Sequence, residues 1–397
     1  MIQEQDMTMP PIRTITFGLA DAHPLTSVAI ERAAAILEHA RQTYEEAGYE
    51  VQTVRLSTRP VFDDLADWSA ADILKYAQDL QRMLDDAKLG FCSLGPFNAV
   101  PYYASVERIE LIADMLIATT ALNAAVLMSS GEYGANNAAP MTARVIQRLA
   151  QETSEGSGNF RFAMLSQVKP GTPFFPAAYH NGPSSISIGL QGAGLIADAL
   201  RSRNERASIR LSFLSISSIV KQAVETEGRG IVELAQELAV AHELAFGGID
   251  LSPAPLGEES IVAAMELCGY GKFGEPGTLT VAAALTTALH NVDLPTCGYC
   301  GLMLPVLEDA TLGRRWAEDL VSIPQLLLYS SVCGAGLDTV PLPGDTDEGT
   351  IANILRDVAA LATRLHKPLS ARLFPVPGKK RGERTTFTSP YLTNTTV

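Results

Sequence analysis

Five carboxylates in the C-terminal half, Asp250, Glu308, Asp309, Asp338 and Asp345, share one kind of sequence setting. They lie in or just past short apolar runs that break at glycine and proline: Phe246–Pro255, Gly301–Asp309 and Cys333–Asp345. A fourth run of the same kind, Ser370–Lys379, carries Arg372 and Lys379. Such runs read as buried strands with their charges at or beyond the end. Loops at strand ends are where parallel α/β folds build ligand sites, so the four segments are expected to converge. Carboxylates from separate strand ends can hold a hard cation such as Mg²⁺ or Ca²⁺. They can also divide acid and base roles when burial splits their pKa values. Asp250, Glu308 and Asp338 are therefore the candidate metal ligands, and with Asp309 the candidate acid–base groups. Arg372 and Lys379 balance these acids or hold an anionic substrate, with Ser252 as a further substrate contact. The competing reading is that single acids at strand ends cap the next helix, Asp345 especially, since a helical pattern starts near Thr350.

The thiols offer a second chemistry. Cys297-Gly-Tyr-Cys300 has the spacing of a redox dithiol, whose thiol pKa a helix just after it would lower. The next stretch, Gly301–Val306, reads as a strand instead, and no second C-x-x-C or H-x-x-x-H completes a zinc site. Cys300 is then a pocket thiol or simply buried. Cys333 precedes Gly334-Ala-Gly336, where small residues allow close approach. As a nucleophile it needs a base, and His180, in the aromatic, proline-broken loop Thr172–His180, is the candidate. The alternative is a small buried hydrophobe. Gly378-Lys379-Lys380 lacks the pattern of a phosphate-binding P-loop, and Gln191-Gly-Ala-Gly194 reads as a helix start.

Alternating strands and amphipathic helices position these groups. Strands are expected at 12–19, 51–56, 89–94, 124–128, 162–167, 185–190 and 209–214, and in the four segments above. Helices are expected at 27–47, 69–87, 106–122, 137–151, 216–226, 231–245, 260–268 and 278–290. Gly156-Ser-Gly158 is the candidate seam between halves, and the threonine-rich tail 382–397 is a docked or loose terminus. The chain has 397 residues, 47% of them hydrophobic, which allows a large core. Thirty Lys and Arg against 44 Asp and Glu, with no basic run beyond Lys379-Lys380-Arg381, argue against nucleic acid or anionic membranes as partners. Five cysteines, acids in Met1–Met7 and no apolar run of about 18 residues point to a soluble, cytoplasmic chain.

The ordered motifs FGGIDLSPAP, PVLED, SVCGAGLDTVPLPGD and ARLFPVPGK, with RTITFG near the start, resemble family 711 of the domain-of-unknown-function series. The resemblance implies a fold similar to pyruvate formate-lyase and other glycyl radical enzymes: a ten-stranded α/β barrel made of two five-stranded halves. It leaves the chemistry open. A radical mechanism would place the thiyl on Cys300 or Cys333 and the radical on Gly378. However, Gly378 sits between Pro377 and Lys379 rather than in an Arg-Val-x-Gly-aromatic context, and the chain is half the length of those enzymes. Common family members have Ser-Gly where this chain has Cys300-Gly301, and a Phe-Gly-Gly-Leu-Leu-Gly-like ending where it has Phe387–Leu392. Cys333 and the acids match. Common members are also encoded beside small proteins resembling ACT regulators, which implies a regulatory link.

The resulting expectation is a single α/β barrel domain over residues 1–397, acting as a cytoplasmic enzyme on a small anionic molecule. Its reaction is hydrolytic or lyase-type and non-radical. The acids form the site, bound Mg²⁺ or Ca²⁺ included, Cys333 and His180 line it, and the chain forms a homo-oligomer. The alternatives are a non-catalytic small-molecule sensor and a dithiol redox protein using Cys297 and Cys300.

Overall fold

The computed structural model describes residues 9–101, 104–134, 137–204 and 209–397, so the acidic stretch Met1–Met7 lies outside it. The strands in chain order are β1 (Ile12–Gly18), β2 (Val54–Ser57), β3 (Cys92–Asn98), β4 (Leu122–Ser130), β5 (Tyr133–Gly134), β6 (Phe162–Ser166), β7 (Ser185–Leu190), β8 (Ala245–Asp250), β9 (Gly336–Pro343) and β10 (Leu369–Val376). β6 and β7 are buried at every position. β6, Phe-Ala-Met-Leu-Ser, reads as the continuous apolar run of a strand covered on both faces, whereas β7, Ser-Ile-Ser-Ile-Gly-Leu, buries small residues between its apolar ones.

One sheet holds the strands in the order β8-β7-β1-β2-β3-β4-β6-β10-β9, with β5 a two-residue addition on β4. Strands β1, β2, β3, β4 and β6 pair parallel to one another. β7 with β8, and β9 with β10, are also parallel pairs. The two sets run in opposite directions and meet antiparallel at β1/β7 and β6/β10. The free ends of the sheet are β8 and β9. Residues 296–305 touch both, through parallel bridges Ile249↔Thr296 and Pro305↔Asp338.

Helices cover the outside. Ser27–Glu46 starts where Thr26 accepts from the Ala29 N–H, and its buried Ile30, Ala33, Leu37, Ala40 and Tyr44 recur at helical spacing. The sequence suggests two helices between 216 and 245, but one runs unbroken over Phe213–Ala241. Gly228 inside it meets Leu294, and a Cβ there would come within 2.7 Å of that side chain. This glycine serves a close approach, not a stop. The strand expected at 209–214 is absent; Ser212 instead accepts from the Ser215 N–H and starts this helix. β3 continues through Gly95-Pro96, where a break is expected from sequence, with a register shift between Ser93 and Pro96 absorbing the missing donor. Gly156–Gly158 lies in a 3-10 turn ahead of β6. No helix among the described residues is long and apolar enough to cross a membrane.

Candidate functional site

A cavity of about 630 Å³ opens at one end of the sheet. Its wall uses residues at the starts of β1, β2, β4 and β6 (Arg13, Arg55, Asn123, Ala163) and residues just past the end of β8 (Ala254–Leu256). Tyr299, Met303 and Pro305 of the 296–305 segment line it too, as do Asp338 of β9 and Arg372 of β10. The expected location was strand C-termini. Because the two strand sets are antiparallel, each end of the sheet combines C-terminal ends of one set with N-terminal ends of the other, and this cavity draws on both.

Its polar centre is a chain of charges. Arg372 donates from Nη2 to Glu308 at 2.7 Å and from Nε to Asp338. Arg13 reaches the other Glu308 oxygen at 3.4 Å and donates from Nη1 to Gln52 Oε1 at 2.9 Å. The Arg372 guanidinium also lies over the Phe160 ring, 5.2 Å from its centroid. Burial raises the Glu308 carboxyl, and neighbouring Asp338 adds to this, against the pull of Arg372 and Arg13. Of the expected acids, Glu308 and Asp338 do come together, around Arg372.

Arg55 is a third cation beside this pair of acids. It is 8% exposed. Its Nε donates to Thr53 Oγ1 at 3.0 Å, and its guanidinium lies 5.2 Å from the ring centroids of both Phe91 and Phe175. Among the described residues no carboxylate pairs with it. Burial, followed by repulsion from Arg13 and Arg372 and opposed by the charge of Glu308, pushes it down to about 9. Arg161, at the cavity edge, is satisfied differently, donating to the Leu122 carbonyl at 2.9 Å and the Leu116 carbonyl at 2.6 Å. Arg13, Arg55 and Arg372 thus stand around two buried carboxylates, while Arg161 and the exposed Glu50 and Glu155 complete a lining whose four arginines and four carboxylates balance. A buried cation without a partner is costly, because desolvation is not returned by a contact.

Asp250, expected in the site, has a different task. It is fully buried and accepts from Ser252 N (3.0 Å), Ser252 Oγ (2.6 Å), Tyr299 N (2.8 Å) and Cys300 N (3.0 Å). Burial raises its carboxyl, while these donors pull the other way. They fix the turn 297–301, in which Cys300 adopts φ +42° and Gly298 φ +69°. A left-handed non-glycine residue costs about 1–3 kcal/mol and persists where surrounding bonds over-determine it. Gly301 then packs against Gly334, where a Cβ on Gly301 would sit 2.3 Å from the Gly334 Cα. Pro305 has no N–H to donate, and the strand expected at 301–306 reduces to the single bridge at Pro305, with the Val306 N–H donating to the Asp338 carbonyl at 3.1 Å. The turn carries Tyr299 into the cavity wall. Tyr299 is 6% exposed, and its hydroxyl is sealed from solvent beside the Ser370 side chain, which donates to the Ala335 carbonyl.

The remaining expected residues separate from the site. Asp309 accepts from Ser260 Oγ (2.6 Å), Val262 N (3.2 Å) and Leu312 N (2.9 Å), capping the helix Ala310–Ala317. Asp345 is exposed, and Asp347 caps the helix Glu348–Leu365. Ser252 is committed to Asp250 and to the Gly301 N–H (3.1 Å), not to a substrate. Lys379 lies past β10 and does not line the cavity. The metal set Asp250, Glu308 and Asp338 is not assembled, since Asp250 faces its turn while the other two engage arginines. Among the described residues no three His, Cys, Asp or Glu side chains are grouped to hold a metal ion.

Cys300 donates to the Cys297 carbonyl at 3.3 Å, and burial pushes its thiol up to about 12. Cys333 is buried, outside the cavity lining, and pushed up to about 12 by burial as well. Its carbonyl, not its sulfur, is engaged, accepting from Lys367 Nζ at 2.6 Å. His180 lines a separate cavity of about 360 Å³ near the C-terminal ends of β2, β3 and β4, with Arg59, Asn98 and Leu127. It contacts the Pro183 carbonyl at 2.9 Å, so no Cys333–His180 pair forms.

Sequence reasoning missed Arg13, Arg55 and Arg161 as site residues. Their signal is nonetheless present: Arg55 and Arg161 sit between apolar residues (Val54-Arg-Leu, Phe160-Arg-Phe), like Ala371-Arg-Leu, and Arg13 follows Ile12 at the start of an apolar run. A charge inside a buried strand needs a partner or a function. The polar tail is docked: Thr393 N donates to the Leu307 carbonyl at 2.6 Å and Thr395 Oγ1 to the Gly313 carbonyl at 2.6 Å. Phe387, Tyr391 and Leu392 join the cavity wall.

Over residues 1–388 the chain matches the family model described as Uncharacterised ACR (DUF711). A UPF0210 protein of Pyrobaculum arsenaticum is 30% identical over 401 residues, covering 95% of this chain and 84% of that one. One from Pyrobaculum aerophilum is 32% identical over 360 residues, covering 85% and 76%. One from Desulfovibrio desulfuricans is 28% identical over 408 residues, covering 95% and 88%. Among solved structures, the anaerobic ribonucleotide reductase from Thermotoga maritima is similar with a TM-score of 0.45 and 9% identity, covering 91% of this chain and 75% of that one.

Proposed function

The chain belongs to the DUF711 family, and we propose that it binds a small organic anion in the arginine-lined cavity. The anionic group sits on Arg55, and the apolar body lies against the aromatic wall. The observation that carries this reading is the state of Arg55: buried between two phenylalanine rings, repelled by Arg13 and Arg372, and without a carboxylate partner among the described residues. A planar guanidinium offers paired donors that match a carboxylate or phosphate. An anion there would return the missing charge contact. Parallel bridges from residues 296–305 to both sheet ends support a finer reading of the fold. That reading is a closed barrel of ten staves in two antiparallel halves, with the cavity inside one mouth.

If the bound anion is a substrate, Glu308 is the acid–base group, since it lines the cavity and burial raises its carboxyl. The chemistry is then hydrolytic or lyase-type. The test is thermal denaturation of the purified chain with a panel of mono- and dicarboxylates and inorganic phosphate. At least one is expected to raise the melting temperature saturably, less so at high salt, and to lose this effect in Arg55→Gln. No shift with any anion, or an equal shift in the variant, rejects the reading. NMR of each stabilising anion after incubation separates turnover from binding.

A further inference from the structure

We infer that Thr388–Tyr391, the tip of the C-terminal segment, is the gate of the arginine cavity, lifting to admit the anion that Arg55 takes and closing over it. This rests on the anion-binding reading above and deepens it. Ser389 and Tyr391 line the cavity, and the half-exposed Tyr391 reaches the neighbourhood of Arg55, which is itself nearly sealed from water. The segment is fastened at its base. Asn394 Oδ1 accepts from the Phe387 N–H (2.7 Å) and from Thr385 Oγ1 (2.9 Å), and its Nδ2 donates to the Phe387 carbonyl (3.1 Å). Thr385 N donates to the Thr395 carbonyl at 2.7 Å, and the Phe387 ring stands edge-on to Phe374 with 5.4 Å between centroids. With the bonds from Thr393 and Thr395 to Leu307 and Gly313, the base belongs to the core.

The tip is held differently. Among the described residues its hydrogen bonds to the rest of the chain are two, from Thr388 N (3.3 Å) and Thr388 Oγ1 (3.2 Å) to one oxygen of Glu155, and both partners are exposed. The others are local: Ser389 accepts from the Tyr391 and Leu392 N–H groups, each at 3.3 Å, and Pro390 has no N–H to donate. Long bonds open to water break at low free energy, whereas the short bonds of the base open with the core. The facing wall cannot yield in the same way, because Arg13, Arg55 and Arg372 stand on strands of the sheet and Tyr299 on the turn pinned by Asp250. The tip therefore lifts while the base stays, with Glu155 as its latch. On closing, Tyr391 returns over the apolar body of the ligand and lengthens its stay.

The test is hydrogen–deuterium exchange of the full chain, alone and with saturating benzoate, hexanoate or inorganic phosphate, whichever raises its melting temperature most. Without the anion, the Thr388, Ser389 and Tyr391 amides should exchange about a hundred-fold faster than those of Thr385, Thr393 and Thr395. With it, the tip should slow about ten-fold and the base less than about two-fold, and Arg55→Gln should show no slowing. Glu155→Ala should release the anion about three-fold faster in stopped flow, with parent-like exchange at the base showing that the variant folds. A tip as protected as the base in the free chain, an anion that raises the melting temperature without slowing the tip, or an unchanged release rate in Glu155→Ala overturns the gate and leaves anion binding intact. If none of the three anions raises the melting temperature of the parent, anion binding is rejected and the gate with it.

Discussion

Arg372 donates to Glu308 at 2.7 Å, and the same carboxylate accepts from Arg13 at 3.4 Å. Glu308 therefore ties β10 to β1, which are not neighbours in the sheet. Both partners are nearly sealed from water, where removing one member of a pair leaves the other charge uncompensated. Glu308→Gln is expected to destabilise the fold by about 3 kcal/mol. Urea denaturation checks this, and a change below about 0.5 kcal/mol would mean the pair is solvated.

Arg55 predicts the opposite sign. With no ligand present its charge is buried and unpartnered, so Arg55→Gln should stabilise the free protein by about 1 kcal/mol while abolishing anion binding. Gains in stability that accompany a loss of binding mark groups held in place for a ligand. A large loss of stability in Arg55→Gln would show that the arginine is structural.

Asp250 and Asp309 should behave as structural acids. Asp250→Ala strands four donors and frees a strained turn, at an expected cost of about 3 kcal/mol or more. Asp309→Ala removes a helix cap and is expected to cost about 1–2 kcal/mol. Chemical denaturation of both variants is the measurement. A stable Asp250→Ala that has lost only ligand binding would return this residue to the site.

His23 gives a pH dependence. Its ring is buried between Tyr76 Oη (2.7 Å) and Thr58 Oγ1 (2.9 Å), and burial lowers its pKa from 6.5 to about 4. Asp64 pulls it upward, while Arg59 contributes both an upward carbonyl contact and a downward charge effect. The unfolded chain binds this proton more readily, so stability is complete above pH 6.5 and is lost as pH falls toward 4. The contribution lost is about 3 kcal/mol. Urea melts at about pH 7 and about pH 4.5 should show a smaller difference in His23→Asn than in the parent. Equal differences would mean His23 is not held neutral.

Cys333→Ala should leave anion binding unchanged and cost about 1 kcal/mol in stability, through the small cavity it leaves. Ligand titration of this variant is the check, and a binding defect would place the thiol in the site.

The elements were largely legible because local rules dictate them. Apolar runs between glycine and proline mark β8, β9 and β10, and Thr26 and Ser69 mark helix starts through their caps. Legibility failed where a tertiary contact overrode a local signal. Gly228 reads as a break until Leu294 is seen against it, and Gly301–Val306 reads as a strand although only the bridge at Pro305 and the Val306 N–H pair it with β9.

The site divides along the same line. The sequence alone determined which segments are buried and which carry charge, because hydropathy and the rigidity of proline act within a few residues. It could not tell Asp250 and Asp309, whose oxygens satisfy nearby backbone donors, from Glu308 and Asp338, which face arginines far along the chain. Only the tertiary structure decided that, because a buried charge takes its role from the partners the fold brings within about 3 Å. The same holds for Arg55: what sets it apart is a carboxylate contact it lacks among the described residues, and a missing contact has no local sequence signature.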